Sequence, residues 1–299
     1  DELDMKILNV LTRNSRVSYN TLGKEIGLTA KSVKARVKKM QSGGIFGNFI
    51  ARVNPSVLGY SKFWLVYVKK SKRDEKHIQQ SLGLLGDILY RAESLGNPLA
   101  FLLAIKEEAE EKFDLLVDAL GQAFVEKQVI SFPSVKKQPT YTDLRIIRCL
   151  LANPRMEISD IAKKVGISEK TTTRRLNRMK ESRLLDFSLQ CSPAAMIGYI
   201  QFVIPITVAK SHYHNVLERM YSEFQANILY SPSVIEPEDV LAFVLFGENV
   251  FVVDYVLARV SSFAGVKSAD AYILTKWQYY DDWIMKEINR RLLLRPVLH

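Results

Sequence analysis

Basic and hydroxyl side chains are concentrated on one face of two short segments of this chain, residues 29–40 and 168–179. Arg and Lys side chains neutralise phosphates, Arg can pair with two acceptors on guanine, and Ser or Thr hydroxyls bond to either a base or the backbone. Both segments carry mainly apolar residues at positions i, i+4 and i+7, the spacing of an amphipathic helix that buries one face. The pattern predicts two helices whose outer faces carry nucleic-acid-binding chemistry. The candidate contact residues are Thr29, Lys31, Ser32, Ala35, Arg36, Lys38, Lys39, Ser168, Lys170, Thr171, Arg174, Arg175 and Arg178.

A basic face on a single helix is more often a solvated surface than a binding site, so the sequence around these helices decides between the two interpretations. The stretch from Leu3 to Tyr60 recurs without a gap as Thr142 to Tyr199, with 12 identities over 58 positions. Self-similarity of this kind indicates a repeated structural unit. The two outer faces differ, since the first offers mainly Lys and small residues and the second offers three Arg. We expect them to read different half-sites, or one to read sequence while the other anchors.

Each repeated stretch has the order of elements that would present such a helix. In the first copy, periodic Leu and Ile residues predict one helix, and Ser18 begins a second that ends at Gly27. Thr29 then begins the third helix, as Ser168 does in the second copy. The segment "IFGNFIARVNP" has the apolar residues and central turn of a short β-hairpin, a wing. The order predicts a winged helix-turn-helix in each copy, with its third helix suited to the major groove.

Composition is consistent with this interpretation. The net charge is +10, and residues 1–60 and 140–199 carry +6 and +5 of it, against +1 for residues 61–139 and −2 for residues 200–299. The excess positive charge therefore lies in the repeated stretches, as expected of segments that face phosphates. Two cysteines outside any metal-ligand spacing and the absence of a long apolar run predict a reduced, cytoplasmic protein without a membrane span.

The first copy resembles the N-terminal half of the Lrp/AsnC, or feast/famine, transcription regulators. The resemblance covers Asp4, the Asn14-x-Arg16 pair, the capping Thr29, Arg36–Val37, the Gly before the wing and the closing Gly59-Tyr60. The second copy is similar but weaker, because Arg183 and Leu184 replace the Gly-Ile that opens the wing. The resemblance implies double-stranded DNA as a partner and a βαββαβ ligand-binding and oligomerisation domain after each winged helix-turn-helix. A chain with two such units resembles a tandem duplication, and the family is especially common in archaea.

The segments after each copy fit that fold, because both show the order strand, helix, strand, strand, helix, strand. We therefore predict an α+β protein in which two winged helix-turn-helix domains alternate with two ferredoxin-like βαββαβ domains. The predicted boundaries are residues 1–60, 61–139, 140–199 and 200–299. An amphipathic helix rich in Trp and Tyr is expected from about Lys276 to Arg291. The two α+β domains are expected to pair their sheets within the chain, like a dimer of single-unit relatives, and a higher homo-oligomer stays open.

The resemblance also implies an amino acid effector near a Gly-x-x-Asp turn between the second and third strands. Gly96 and Asn97 fall there in the first unit, but Leu99 stands where the acid is expected. In the second unit Glu238 and Asp239 keep the acids, and the Gly is missing. These four residues, Gly96, Asn97, Glu238 and Asp239, are the candidate effector contacts.

No catalytic residue and no metal or cofactor site is predicted. The chain has no phosphate-binding Gly-rich motif, no zinc-protease motif and no nucleophile elbow. One alternative is a siroheme- or haem-pathway decarboxylase, a class similar in domain order, for which His77, His212 and His214 are the inner candidates. Another is an architectural DNA binder without sequence preference. The exposed basic faces favour a sequence-specific regulator that is not an enzyme.

Overall fold

The computed structural model describes residues 1–69, 75–96, 99–106, 109–120, 124–132, 135, 137–236 and 239–294. Each repeated stretch forms three helices in the order that the sequence predicts. In the first copy they are α1 (Glu2–Arg13), α2 (Tyr19–Ile26) and α3 (Ala30–Ser42). In the second they are α6 (Tyr141–Ala152), α7 (Ile158–Val165) and α8 (Glu169–Glu181). We call these two three-helix units the first and second heads.

The helix boundaries follow the predicted capping residues. The Ser18 hydroxyl accepts a hydrogen bond from the Thr21 amide, and Gly27 ends α2 in the left-handed conformation at φ 74°. That conformation is strained for residues with a Cβ, so a glycine ends the helix with little cost. Gly166 ends α7 in the same way, at φ 73°. The two heads therefore share one backbone frame despite their different surfaces.

The predicted wing hairpin is wrong. The first copy has one continuous strand, β1 (Phe46–Val53), which pairs antiparallel with its equivalent in the second copy, β6 (Leu185–Cys191). The pairing runs continuously from Phe49 opposite Leu189 to Val53 opposite Leu185. Because each strand finds its hydrogen-bonding partner in the other copy, neither has to fold back on itself. The two strands form a ribbon that joins the heads.

Two βαββαβ units confirm the predicted α+β fold. The first comprises β2 (Lys62–Val68), α4 (Glu75–Gly83), β3 (Asp87–Ser94), β4 (Leu99–Ile105), α5 (Glu110–Leu120) and β5 (Phe124–Ser131). The second comprises β7 (Ile200–Val208), α9 (Tyr213–Phe224), β8 (Ser233–Glu236), β9 (Val240–Gly247), α10 (Val250–Ser261) and β10 (Val266–Ala269), followed by β11 (Tyr272–Tyr279) and α11 (Asp282–Leu293).

The C-terminal segment differs from the prediction of a helix starting at Lys276. Trp277 and Tyr279 belong to β11, and the helix begins only at Asp282. Aromatic residues at alternate positions suit a strand that packs one face inward, which explains the change. Strand β11 pairs with β3 of the first unit, and β5 pairs with β8 of the second. With β7 paired to both β9 and β11, the two units form one closed sheet within the chain.

The heads are packed crosswise on this sheet. The core of the first head, including Leu8 and Leu11, continues into Leu229 and Phe246 of the second α+β unit. The second head shares its core with α11 and with the segment after β1, where Val57 and Leu58 are buried. Apolar contacts of this kind supply most of the driving force for folding. Each head is thus held by residues far from it in sequence.

Candidate nucleic-acid interface

The third helices, α3 and α8, begin at hydroxyl caps and turn their apolar stripes inward. The Thr29 hydroxyl accepts from the Ser32 amide at 3.1 Å, and the Ser168 hydroxyl accepts from the Thr171 amide at 3.2 Å. The stripes are fully buried, with Val33 in α3 and Thr172 in α8 each at 0% exposure. Since a helix cannot bury opposite faces in so small a unit, the predicted contact residues lie on the outside.

Most of the predicted contact residues are accessible. Their burial divides them into an exposed group and a half-buried group. The exposed group is Thr29, Lys31, Ser32, Ala35, Lys38, Lys39, Ser168, Lys170 and Arg174, and the half-buried group is Arg36, Thr171, Arg175 and Arg178. Sequence reasoning missed Lys34, which is also exposed and follows Lys31 by three positions, one helical turn away. The i, i+3 spacing was the available signal.

Three of the predicted arginines are tied to acidic residues of their own head. The Arg36 guanidinium contacts Asp1 and Asp4 at 2.7 and 2.9 Å, so α3 is joined to the start of α1. In the second head, Arg175 and Arg178 both contact Asp143, at 3.0 and 2.6 Å. These arginines connect the third helix to the first, which makes the second head less rich in free arginine than its sequence implies.

The carboxylate that receives two arginines is buried and stays ionised. Burial of Asp143 opposes its ionisation, but the amide and hydroxyl of Thr140 and the nearby guanidinium groups hold its pKa below the ordinary value. The Thr140 amide donates to it at 2.9 Å. A buried carboxylate with this many donors is a stable anchor for the positive side chains above it.

The two heads are fastened to each other by equivalent arginines. Arg16 donates to the carbonyls of Pro154 and Met156, at 2.6 and 2.9 Å. Arg155 donates in return to the carbonyls of Ser15 and Val17. Together with the β1–β6 ribbon, this reciprocal contact fixes the separation and orientation of α3 and α8. We call it the arginine clamp.

A basic cleft lies beside the clamp on the first head. Its volume is about 620 Å³, and Arg16, Lys31, Lys34 and Arg155 contribute to its wall, with Glu157 as the acidic member. The second head has Glu169 and Thr173 at the positions equivalent to Ala30 and Lys34. The electrostatic potential between the heads is therefore asymmetric, with the stronger positive side on α3.

The candidate effector residues are placed at two separate turns. Gly96 follows β3 in the left-handed conformation at φ 68°. The Asp239 carbonyl, just before β9, accepts a hydrogen bond from the Val208 amide at 2.5 Å. Asn97 and Glu238 lie outside the described residues. Leu99, at the position where the family resemblance implies an acid, is fully buried in β4 and offers no polar group.

The histidines named for the alternative chemistry do not converge. His77 is exposed on α4, and His214 is exposed near the start of α9, with His212 half-buried just before it. Within the described ranges, no group of three or more His, Cys, Asp or Glu side chains could hold a metal ion. No helix in the described part of the chain is both long and apolar enough to cross a bilayer.

Comparison with known proteins identifies the two helix-turn-helix domains. A model described as the AsnC-type helix-turn-helix domain matches residues 1–41, and one for winged helix-turn-helix DNA-binding matches residues 139–185. The chain is similar to the HTH-type transcriptional regulator Ptr1 of Methanocaldococcus jannaschii, at 31% identity over 129 residues, 42% of this chain and 80% of the relative. It is also similar to the HTH-type transcriptional regulator FL11 of Pyrococcus furiosus, at 28% identity over 123 residues, covering 40% and 80%.

These matches define a transcription regulator with helix-turn-helix DNA-binding domains. The chain belongs to the Lrp/AsnC family, and the similar regulators are archaeal. Each of these two matches covers less than half of this chain, which carries two helix-turn-helix domains in tandem.

A solved structure extends the likeness to the whole chain. The siroheme decarboxylase NirDL matches 98% of this chain and 100% of its own length, with a TM-score of 0.53 and 16% sequence identity. At that identity the likeness concerns the fold. It indicates that the paired arrangement of two heads on two α+β units also occurs in another protein.

Proposed function

We propose that this chain is a sequence-specific regulator that binds double-stranded DNA through its two non-identical heads, which lie within residues 1–60 and 140–199. The observation that carries the proposal is the rigid pairing of two exposed basic helices by the ribbon and the arginine clamp. A duplex presents successive major grooves about 34 Å apart, and two helices held in a fixed relation select sites of matching spacing. Fixed spacing favours specific binding over general attraction to phosphate.

The two heads differ in the exposed Lys and Arg side chains that form no ion pair with a described residue. On α3, Lys31, Lys34, Lys38 and Lys39 are exposed and form no ion pair with a described residue. Lysine is a flexible point charge, so this helix suits attachment to phosphates. On α8 both Lys170 and Arg174 are exposed and form no ion pair with a described residue, and the planar fork of Arg174 can pair with both acceptors of a guanine. We infer that the first head mainly anchors and that the second mainly reads sequence.

We propose a different role for the arginines that form ion pairs within their own head. Arg36 and Arg175 occupy equivalent positions and each contacts the acidic residue at the equivalent position of its first helix, Asp4 or Asp143. We assign them to positioning the third helix, although both side chains are partly exposed and within reach of a phosphate on bound DNA. Arg178 is 39% exposed and also contacts Asp143, so it can serve both purposes.

An amino acid effector at the turns of Gly96 and Asp239 belongs to the proposal through the family resemblance alone. The acid is replaced in the first unit by a buried leucine, and the glycine is absent from the second. Direct calorimetric titration of the chain with the twenty amino acids tests this part separately. A saturating heat signal that Asp239→Asn removes would support it, and a panel without any signal would contradict it.

The experiment that tests the main proposal begins with selection of bound duplexes from a random pool. Fluorescence anisotropy then compares the selected duplex with a scrambled one at two salt concentrations. We expect a specificity ratio of at least about 10³ and a steep loss of affinity with salt. Equal affinity for both duplexes would instead indicate an architectural binder, and undetectable binding would contradict both interpretations.

A matched pair of variants locates the contact. Replacing Lys31, Lys34 and Lys38 by Ala should weaken binding to all duplexes by about 10² or more at low salt, because about three phosphate contacts are lost. Replacing Lys210 and Lys267, which are exposed in the second α+β unit, removes surface charge without touching either head. Binding that responds equally to both sets would mean that net charge, not the heads, determines affinity.

The whole-chain likeness to a siroheme decarboxylase supports a second candidate function. Siroheme carries many carboxylates, and a site for it needs basic side chains. A cavity of about 700 Å³ beside β1 is lined, among the described residues, by Asp281 and by no Lys, Arg or His. The basic cleft of about 620 Å³ is formed by the two heads and not by an α+β unit. We therefore rank this function second. Titration with siroheme tests it, since a saturable change in the Soret band with release of carbon dioxide would reverse the ranking.

A further inference from the structure

The 700 Å³ cavity lies beside the ribbon, at the C-terminal end of α3, where Gln41 lines it. Its walls are residues 47–50 of β1, residues 151–154 at the end of α6, and Trp277 and Tyr279 of β11. It therefore touches both heads and the closed sheet at once. A molecule bound here would contact both heads and the sheet. The ribbon and the arginine clamp fix the position of one head relative to the other.

The cavity exists because the two copies differ at this point. Asn48 lines it, whereas Phe187 occupies the equivalent position of the second copy and is fully buried. Gly44 and Gly47 also line it, and Arg183 and Asp186 are their equivalents. Gly44 and Arg183 share the left-handed conformation, at φ 74° and 55°, so the backbones match and the side chains make the difference. Small residues thus leave open the volume that the other copy fills.

Pro154 adds a backbone difference between the two copies beside the cavity. In the second copy the Phe187 carbonyl accepts a hydrogen bond from the Ser15 amide at 3.1 Å. The residue equivalent to Ser15 is Pro154, which has no amide hydrogen and cannot make the matching bond to Asn48. The β1 strand also shifts its register between Phe46 and Phe49. The opening is therefore built into both the side chains and the backbone.

The lining has a distinct chemistry. Phe49, Trp277 and Tyr279 supply aromatic surface, although the Arg155 guanidinium lies 5.1 Å from the Phe49 ring centroid and Trp277 stacks with Tyr90 and Tyr230. Asp281 supplies a carboxylate that forms no ion pair with a described residue. Among the described residues, no Lys, Arg or His lines the cavity, although the chain as a whole carries +10. Aromatic rings and a carboxylate attract organic cations through the ring quadrupole and through charge. An anionic ligand would meet repulsion from the Asp281 carboxylate.

The cavity wall is also part of the clamp. The Pro154 carbonyl accepts the bond from Arg16 at 2.6 Å, and the Asn153 side chain accepts from the Arg155 amide at 3.1 Å. A ligand that displaced this loop would change the contacts between the heads. Occupancy and head orientation are coupled in this way, and the coupling acts in both directions.

We propose that this cavity binds a small organic cation with an aromatic group, an amine of the size of tyramine, as a regulatory ligand. The site is separate from the turns at Gly96 and Asp239, and its occupant differs in charge from a zwitterionic amino acid. The inference goes beyond DNA binding, since ligand binding can be measured without DNA and its failure would leave the proposed function untouched.

Isothermal titration calorimetry on the full chain tests the proposal with two probes of one shape. Tyramine is a cation, and 4-hydroxyphenylacetate carries the same ring with a negative charge. We expect tyramine to bind once per chain with a dissociation constant below about 1 mM, and the anion to bind at least about tenfold more weakly. Tyramine that fails to saturate at about 10 mM, or an anion that binds equally well, would overturn the proposal.

Variants assign the binding to the cavity. Asn48→Phe installs the ring of the second copy and should abolish tyramine binding, while Asn215→Phe, exposed on α9, should leave it unchanged. Gly47→Leu is a second filling variant, because a Cβ at Gly47 meets no atom within 4 Å. Asp281→Asn should weaken binding about tenfold. Unchanged affinity in a folded filling variant, verified by circular dichroism, would place the ligand elsewhere and overturn the assignment.

Discussion

Arg16 and Arg155 occupy equivalent positions in the two copies and bind each other's loops. Arg16 donates to the carbonyls of Pro154 and Met156, and Arg155 donates to those of Ser15 and Val17. The Arg155 guanidinium also lies 4.5 Å from the ring centroid of Tyr19. In a single copy this arginine would be exposed to solvent. In the duplicated chain it forms the contact that fixes the relative position of the two heads.

The clamp should contribute measurably to stability. Arg155→Ala removes two charge-assisted hydrogen bonds, so we expect the free energy of unfolding to fall by about 2–3 kcal/mol in urea titrations. Arg148→Ala is the matched control, since Arg148 is exposed on the same helix that precedes the loop. Equal loss in both variants would mean that the reciprocal contact contributes no more than a surface arginine does.

The second head should separate positioning from reading. Arg175→Ala leaves buried Asp143 with one arginine fewer and should lower the free energy of unfolding by about 1–3 kcal/mol. Arg174→Ala should change that free energy by less than about 0.5 kcal/mol yet weaken binding to the selected duplex about tenfold or more. Thermal melts and anisotropy titrations on both variants check this division. Comparable stability loss in the two variants would contradict it.

One half of the chain should not persist as a monomer. Residues 1–139 alone would expose β1 without β6, and β3 and β5 without their partners β11 and β8. Unpaired edges and uncovered apolar surface promote association. Light scattering should therefore find this fragment as dimers or aggregates. A monodisperse, folded monomer would show that the crosswise packing is dispensable.

Acid should weaken the attachment of the C-terminal helix through Glu287. This residue is 4% exposed and contacts three cations, Lys106, Arg290 and Arg291. Burial alone would raise the pKa of Glu287, but the three cations lower it from 4.5 to about 2. Since the folded-state pKa is depressed, the stabilisation is present above about pH 4.5 and is lost as pH falls toward 2.

Glu287→Gln tests this linkage. It should cost up to about 3 kcal/mol at neutral pH and flatten the dependence of stability on pH between about 5 and 2. Glu218→Gln, exposed on α9, serves as the control. Urea titrations across that range give the comparison. A variant whose pH dependence matches the original chain would show that another carboxylate controls acid sensitivity.

The sequence predicted those parts of the fold that local patterns determine. Helix starts at Ser18, Thr29 and Ser168 follow from side-chain hydrogen bonds within a few residues, and the alternation of strands and helices determines the α+β units. The ribbon was missed because β1 pairs with a strand well over a hundred residues away, and no local turn signal distinguishes it from a hairpin. Pairing across that distance depends on how the two units dock.

The candidate interface was predictable in outline and not in its energetics. Helical periodicity indicates which face of α8 is outward, but it does not show that Asp143 lies beneath Arg175 and Arg178. The acidic partner is more than thirty residues away in sequence. Likewise, Arg16 and Arg155 are identical in the repeat, yet their mutual contact emerges only when the two heads face each other.

The central claim is that one chain holds two different heads in fixed relation on one duplex. Anisotropy titrations on selected duplexes with about 5 or 10 base pairs inserted between the two footprints test it directly, because about 10 base pairs make one helical turn. We expect the half-turn insertion to weaken binding by about tenfold or more and the full-turn insertion to recover part of the loss. Affinity that is indifferent to both insertions would contradict the claim.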